Sequence, residues 1–206
     1  VGCSLNCEFC ATAKLKRMRN LEVAEIVDQV ALIDKQSKLY FDRPLSNIVF
    51  MGMGEPMMNY KNVVDAIKKI TDEDGLGMSA RRITVSTSGI PKMMRMLADE
   101  NLKVKLALSL HSAIEHKRNE IMPFSTKFPL TEIMEAMQYW YSKTENRITF
   151  EYCVWKGIND GEEDIKALIK YCRQVPCKVN LIQYNPIGEG KFDHRSVEAE
   201  ERYVRE

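Results

Sequence analysis

No apolar run in this 206-residue sequence approaches the roughly 18–20 residues that cross a bilayer. A basic leader and an apolar signal segment are missing as well: the sequence starts Val1-Gly2-Cys3, without an initiator Met. These absences lead us to expect a soluble chain with no membrane partner, and one that is part of a longer protein. Charge of one sign is also lacking. Thirty Lys and Arg stand against 29 Asp and Glu, a formal charge of +1, so composition by itself demands neither nucleic acid nor an anionic surface as partner. Cysteine is scarce, with six residues, far from the density of a disulfide scaffold. Three of the six nevertheless crowd into the first ten positions, which points to a site in a reducing, cytoplasmic compartment. No internal repeat, low-complexity tract or Gly/Ser linker divides the chain, so one domain over residues 1–206 is expected.

What is present is a core-forming composition, 45% apolar and 29% charged, arranged in alternating helix and strand patterns. Val23, Ile26, Val27, Val30 and Ile33 recur at helical spacing from Leu21 to about Lys38. Asn47–Met51 is a short apolar run ending in Gly52-Met53-Gly54, followed by a helix opened at Asn59 with Val63, Val64, Ile67 and Ile70 as its stripe. The cycle repeats with strands at Arg82–Ser86, Val104–Leu110, Arg147–Val154 and Lys178–Ile182, and with helices through Met94 and Leu97, over Ile133–Tyr141, and through Ile165, Leu168, Ile169 and Cys172. Strands joined by connections of helical length run parallel through right-handed crossovers. The chain is therefore α/β, either a barrel or an open doubly wound sheet, with its site at the C-terminal strand ends. The unusual residues collect there: Gly54-Glu55-Pro56, Ser86-Thr87-Ser88-Gly89, Ser109-Leu110-His111 and Asn185-Pro186.

Cys3, Cys7 and Cys10 place three thiols within eight residues, enough for one loop to wrap a metal centre. Three thiolates leave the fourth iron of a cubane open to a small ligand, which implies catalysis. The alternatives are a zinc site completed by a distant His or Cys, or three incidental thiols. Other conspicuous residues have plainer readings. Met51, Met53, Met57 and Met58 suit irregular core and pocket wall, and Cys153, Cys172 and Cys177 suit the core. Lys14, Lys16, Arg17 and Arg19 beside the cysteine loop could meet a phosphate or simply face water.

Cys3-Ser4-Leu5-Asn6-Cys7-Glu8-Phe9-Cys10 resembles the cluster loop of the radical S-adenosylmethionine (SAM) superfamily. Ala11-Thr12-Ala13, Arg19-Asn20-Leu21, Met51–Pro56, Ser86–Gly89, Ser109–His111 and Asn185-Pro186 follow in the order found in the RlmN/Cfr family of RNA adenine methyltransferases. The resemblance runs from residue 1 to about 190. It implies a partial (β/α)6 barrel of parallel strands, truncated at both ends, a 4Fe–4S cluster on Cys3, Cys7 and Cys10, and SAM chelated to the open iron. One electron, from a donor such as flavodoxin or ferredoxin, then yields a 5′-deoxyadenosyl radical. SAM contacts are implied for Gly54, Glu55 (on the ammonium), Ser86, Ser109, Leu110, His111 and Asn185, with a monomer methylating adenine carbon 2 in 23S rRNA and tRNA. Relatives that methylate carbon 8 share nearly every motif, and a noncatalytic iron–sulfur or zinc module is the reading from a different class. The family also uses a C-terminal methyl-carrying cysteine, and an upstream cysteine and general-base glutamate. None has a matching context here, so catalytic residues are expected outside these 206 positions.

Overall fold

The computed structural model describes residues 1–15, 17–188, 192–193 and 197–206. The chain opens with the cysteine loop and continues through α1 (Val23–Phe41), β1 (Ile48–Phe50), α2 (Tyr60–Thr71), β2 (Ile83–Thr87), α3 (Pro91–Asp99) and β3 (Lys105–Ser109). It then passes through α4 (Glu115–Ile121), α5 (Leu130–Thr144), β4 (Ile148–Cys153), α6 (Glu162–Cys172), β5 (Cys177–Ile182) and α7 (Val197–Arg205). The strands form one five-stranded sheet in the order β1-β2-β3-β4-β5, every pairing parallel. The α/β expectation holds. The sheet is an open arc with β1 and β5 as its edges, five of the six strands that the resemblance implies.

Local chemistry sets the element ends. Glu25 accepts the Glu22 N–H at 2.8 Å and closes a capping box at the start of α1. Pro91 begins α3 where no intrahelical N–H partner exists. Glu162, Glu163 and Asp164 crowd the first turn of α6, where carboxylates face the positive end of the helix dipole. Both faces are covered in the interior of the sheet, where all six residues of β4 are buried, whereas the edge strands β1 and β5 keep exposed positions.

Alternation along the strands gives the sheet two chemically different faces. Ile83, Val85, Leu106, Leu108, Ile148 and Phe150 join Ile67, Ile70, Met94, Leu97, Ile133, Met137 and Trp140 from the helices in one continuous core. The opposite face is small and polar. Register aligns Ser86 with Ala107 and Thr149, and Ser109 with Glu151 and Asn180, as two rows across neighbouring strands. Two helices lie where the periodicity gave no signal. In α4 only Arg118 and Ile121 are buried, and α7 is polar along most of its length; neither carries the apolar stripe that marks a helix in sequence. Cys172 and Cys177 meet at the α6–β5 corner, the Cys177 thiol pointing at the Cys172 carbonyl at 3.5 Å. No helix among the described residues is long and apolar enough to cross a membrane.

Gly89, in the turn after β2, combines a left-handed φ of 97° with a closed environment: an added Cβ would stand 2.9 Å from Ile133 Cδ1 and 3.1 Å from Leu108 Cδ1. Backbone strain and overpacking then act together, and Gly89→Ala is expected to cost roughly 2–4 kcal/mol in urea denaturation. A loss below about 0.5 kcal/mol, ordinary for a surface substitution, would contradict this packing.

Candidate active site

The cysteine loop folds over the C-terminal ends of the strands. Asn6 takes a left-handed φ of 53°, a conformation Asn tolerates better than most residues, and Cys10 N–H donates to the Cys7 carbonyl at 3.1 Å. The Glu8 N–H donates to the Ile121 carbonyl at 3.0 Å, tying the loop to the end of α4. Phe9 anchors it from below, edge-on to His111 at 4.6 Å and against Trp155 at 5.2 Å, in a cluster completed by Phe192 and Tyr184. On the other side the loop approaches the turn after β1 so closely that a Cβ on Gly54 would lie 3.2 Å from the Gly2 carbonyl oxygen; with φ at 139°, that position suits glycine alone.

All six cysteines are free thiols. Burial, followed by the charges of Cys10 and Cys3, pushes the Cys7 thiol up to about 12. The three thiols thus share one electrostatic environment, and Cys7 is protonated unless a cation ionises it, as metal coordination does outright. Among the described residues, no three His, Cys, Asp or Glu side chains could share one metal ion. A donor set of thiols alone, a glycine cradle beside it and a buried cation with unused donors fit an iron–sulfur cluster.

That cation is Arg118, fully buried at 0% exposure. Its Nη2 donates to the carbonyls of Ser88 at 2.6 Å and Ser109 at 3.3 Å, whereas Nε and Nη1 have no partner. Across Ser88 lies a buried carboxylate. Glu55 Oε2 accepts both the Ser88 N–H at 2.7 Å and the Ser88 hydroxyl at 2.8 Å, and Oε1 accepts the Met57 N–H at 3.0 Å. Burial raises the Glu55 pKa, and these hydrogen bonds oppose the rise. Glu55 is therefore the brace that holds the Gly54 turn against the end of β2.

Ser86 and Ser109 stand on the polar face, with Ser86 buried. The Leu110 and His111 N–H groups both donate to the Glu151 carbonyl, and the Leu110 side chain is buried. His111 is 3% exposed at a φ of 55°; its Nδ1 accepts the Cys153 N–H at 3.1 Å, which leaves the ring proton on Nε2. Asn185 is exposed beyond the end of β5. Met57 is core, whereas Met51, Met53 and Met58 line a cavity of about 590 Å³ between the cysteine loop, the Gly54 turn and the β1 edge. Of the basic residues, Arg19 pairs with Glu25, Arg17 bonds Asn20 and Lys14 reaches the Ile187 carbonyl; Lys16 lies outside the described residues.

Three residues of the site, Arg118, Glu151 and Asn159, carry no motif of their own, and Ser88 takes its role from packing rather than from the Ser86–Gly89 motif. Ser88 and Arg118 bind across strand ends. Glu151, buried in the same row as Ser109, accepts from Asn180 Nδ2 at 2.6 Å. Asn159 joins the His111 and Cys153 carbonyls through Nδ2, and its Oδ1 receives the Trp155 N–H. A charged residue inside an otherwise apolar strand, as Glu151 is, was the one legible signal.

Comparison with known proteins agrees with this geometry. The profile described as the radical SAM superfamily matches residues 1–172. A probable dual-specificity RNA methyltransferase RlmN of Flavobacterium psychrophilum is 64% identical over 205 residues, covering 100% of this chain and 59% of the relative. The dual-specificity RNA methyltransferase RlmN of Rhodospirillum rubrum is 46% identical, with 99% of this chain covering 49% of its length. The crystal structure of a radical SAM methyltransferase from Sphaerobacter thermophilus superposes with a TM-score of 0.96 at 38% identity, covering 100% of this chain and 60% of that one. The chain thus spans about three fifths of the length of the nearer relatives.

Burial, with the Arg118 charge adding to it, lowers the His111 pKa from 6.5 to about 3. The folded ring stays neutral while the unfolded chain takes up a proton below pH 6.5, so stability present above that pH is lost as the pH falls. The expected loss is about 1.4 kcal/mol per pH unit between pH 6 and 5. Urea denaturation across this range should show that slope, and His111→Gln should abolish the difference; equal slopes in the two proteins would refute the assignment.

Proposed function

Because the chain belongs to the radical SAM superfamily, which uses a 4Fe–4S cluster and SAM, we propose that residues 1–206 form the core domain of a radical SAM methyltransferase. Its substrates are 23S rRNA and tRNA, methylated at adenine carbon 2. The observation that carries this reading is the three-thiol loop seated against the Gly54 cradle at the C-terminal ends of a parallel sheet. The 64% identity to an RNA methyltransferase of named dual specificity supports the substrate class.

Cys3, Cys7 and Cys10 hold three irons of the cluster. When bound, cluster and SAM supply a one-electron cleavage that generates a 5′-deoxyadenosyl radical. The protein's own task is positioning. Glu55 accepts from Ser88 and Met57 and so fixes the turn, where it and the Gly54 backbone would meet the SAM ammonium. Ser86 and Ser109 would offer hydroxyls from the polar face, the Leu110–His111 backbone would pass beside the ligand, and Asn185, exposed beyond the end of β5, would contact it. His111, neutral and buried, orients rather than transfers protons. The methyl-carrying cysteine and the general-base glutamate come from segments outside these residues. Localisation is cytoplasmic, the protein is a monomer, and the electron comes from a flavodoxin- or ferredoxin-type donor.

Anaerobic reconstitution of the protein, expressed at the full length of its gene, tests this reading. About four irons and four sulfides per chain are expected, with SAM-dependent release of 5′-deoxyadenosine under reduction. Cys7→Ala should abolish both. One zinc per chain and no SAM cleavage would overturn the proposal, and mass analysis showing 8-methyladenine in product RNA would overturn the carbon-2 assignment.

A further inference from the structure

We propose that Arg118 is the buried counter-charge of the cluster, a positioning residue whose free Nε and Nη1 donors face the anionic centre held by Cys3, Cys7 and Cys10. The inference rests on the iron–sulfur reading above. Its starting point is a guanidinium that is 0% exposed and yet engages only two neutral carbonyls, both through Nη2. Nε and Nη1, which carry the other three of its five N–H donors, have no partner. A desolvated charge in that state is costly, and native structures offset it with an anion and with hydrogen bonds.

The anions around it can be sorted. Glu55 is the obvious partner, but Ser88 lies between them: its carbonyl accepts from Arg118 while its N–H and hydroxyl serve Glu55. The groups whose charge acts on Arg118 are Tyr171, Glu115 and Cys7. Burial holds the Tyr171 phenol far above its ordinary range, so it is neutral near pH 7, and its hydroxyl donates to the Leu130 carbonyl. Glu115 is committed to the Leu130 N–H at 2.9 Å, at the start of α5. Cys7 remains. It belongs to the loop whose Glu8 N–H is bonded to Ile121, the last residue of the short helix that carries Arg118. Loop and guanidinium are thus mounted on one element, and Ser88 and Ser109 hold the guanidinium plane fixed.

Three thiolates on a 4Fe–4S centre make an anion, and reduction adds a further negative charge. A cation in the dry wall of the site, donating toward sulfur, stabilises the reduced form more than the oxidised form and raises the potential. The guanidinium suits this role because it stays protonated in spite of burial and offers several donors in a rigid plane.

The test is a redox titration of the reconstituted protein without SAM, followed by electron paramagnetic resonance, on wild type, Arg118→Met, Arg118→Gln and Arg118→Lys. The neutral variants should shift the midpoint to more negative potential by at least a tenfold change in the reduction equilibrium, about 59 mV for one electron. Arg118→Lys, which keeps the charge, should remain within threefold of wild type. An unchanged midpoint in a folded neutral variant overturns the proposal. If SAM affinity falls in that same variant, the guanidinium serves the SAM carboxylate; if it does not, the role is structural. Should both neutral variants fail to fold, wild-type protein labelled with nitrogen-15 arginine decides: a nitrogen-15 hyperfine coupling to the reduced cluster supports the proposal, and its absence overturns it. Wild-type protein that takes up no iron and sulfide would instead sink the iron–sulfur reading itself, a result distinct from any of these.

Discussion

Ser88 stands between a buried carboxylate and a buried guanidinium, and the rest of the site depends on that arrangement. Its N–H and hydroxyl take up one oxygen of Glu55, while its carbonyl takes up Arg118. Through Glu55 the turn after β1 is fastened to the end of β2. Through Arg118 the end of β2 is fastened to the end of β3 and to α4, from which the cysteine loop hangs. Both groups are buried, so neither can be removed without leaving the other side of the relay with an unmet polar atom. Four segments distant in sequence are held in register by the hydrogen bonds of a single residue and its two neighbours in space, and the cysteine loop is tied to the fourth through Ile121.

The second constraint is the division of the sheet into two faces. Parallel strands buried on both sides are ordinarily apolar throughout. Here one face carries Ile, Val, Leu and Phe into the helical layer, while the other presents Ser86, Ser109, Thr149, Glu151 and Asn180 in aligned rows. A surface of small hydroxyls and one carboxamide–carboxylate pair is of little use as core, because each polar atom there needs a partner. It is well made for a ligand with a sugar, an amine and a carboxylate. The aromatic group of Phe9, His111, Trp155, Tyr184 and Phe192 closes the end of that surface under the cysteine loop and keeps the loop's underside dry.

Much of this was legible in residue order. The five strands fall within one or two residues of the apolar runs, since each run is short, rich in β-branched or apolar residues and bounded by polar or turn-forming residues. The cysteine spacing announced a metal loop, and the turn motifs announced which strand ends matter. What escaped was whatever depended on approach in space. Glu55 reads as a ligand group after Gly54, and only packing shows that its oxygens also accept from Ser88 and Met57. Arg118 reads as one charge among Glu115, His116, Lys117 and Glu120 in a polar stretch, and only packing makes it the one that is buried. Glu151 and Asn180 lie 29 residues apart and meet because β4 and β5 pair in one register and no other.

The amino-acid sequence by itself determined the class of fold, the strand and helix order, the three thiols that can hold a cluster and the glycines that let backbone come close. These are local properties: period, spacing and conformational freedom act over a few residues. Tertiary structure alone decided which polar groups are spent on one another and which remain free for a ligand. That choice depends on desolvation, and a residue's distance from water is set by the whole of the packed chain rather than by its neighbours in sequence.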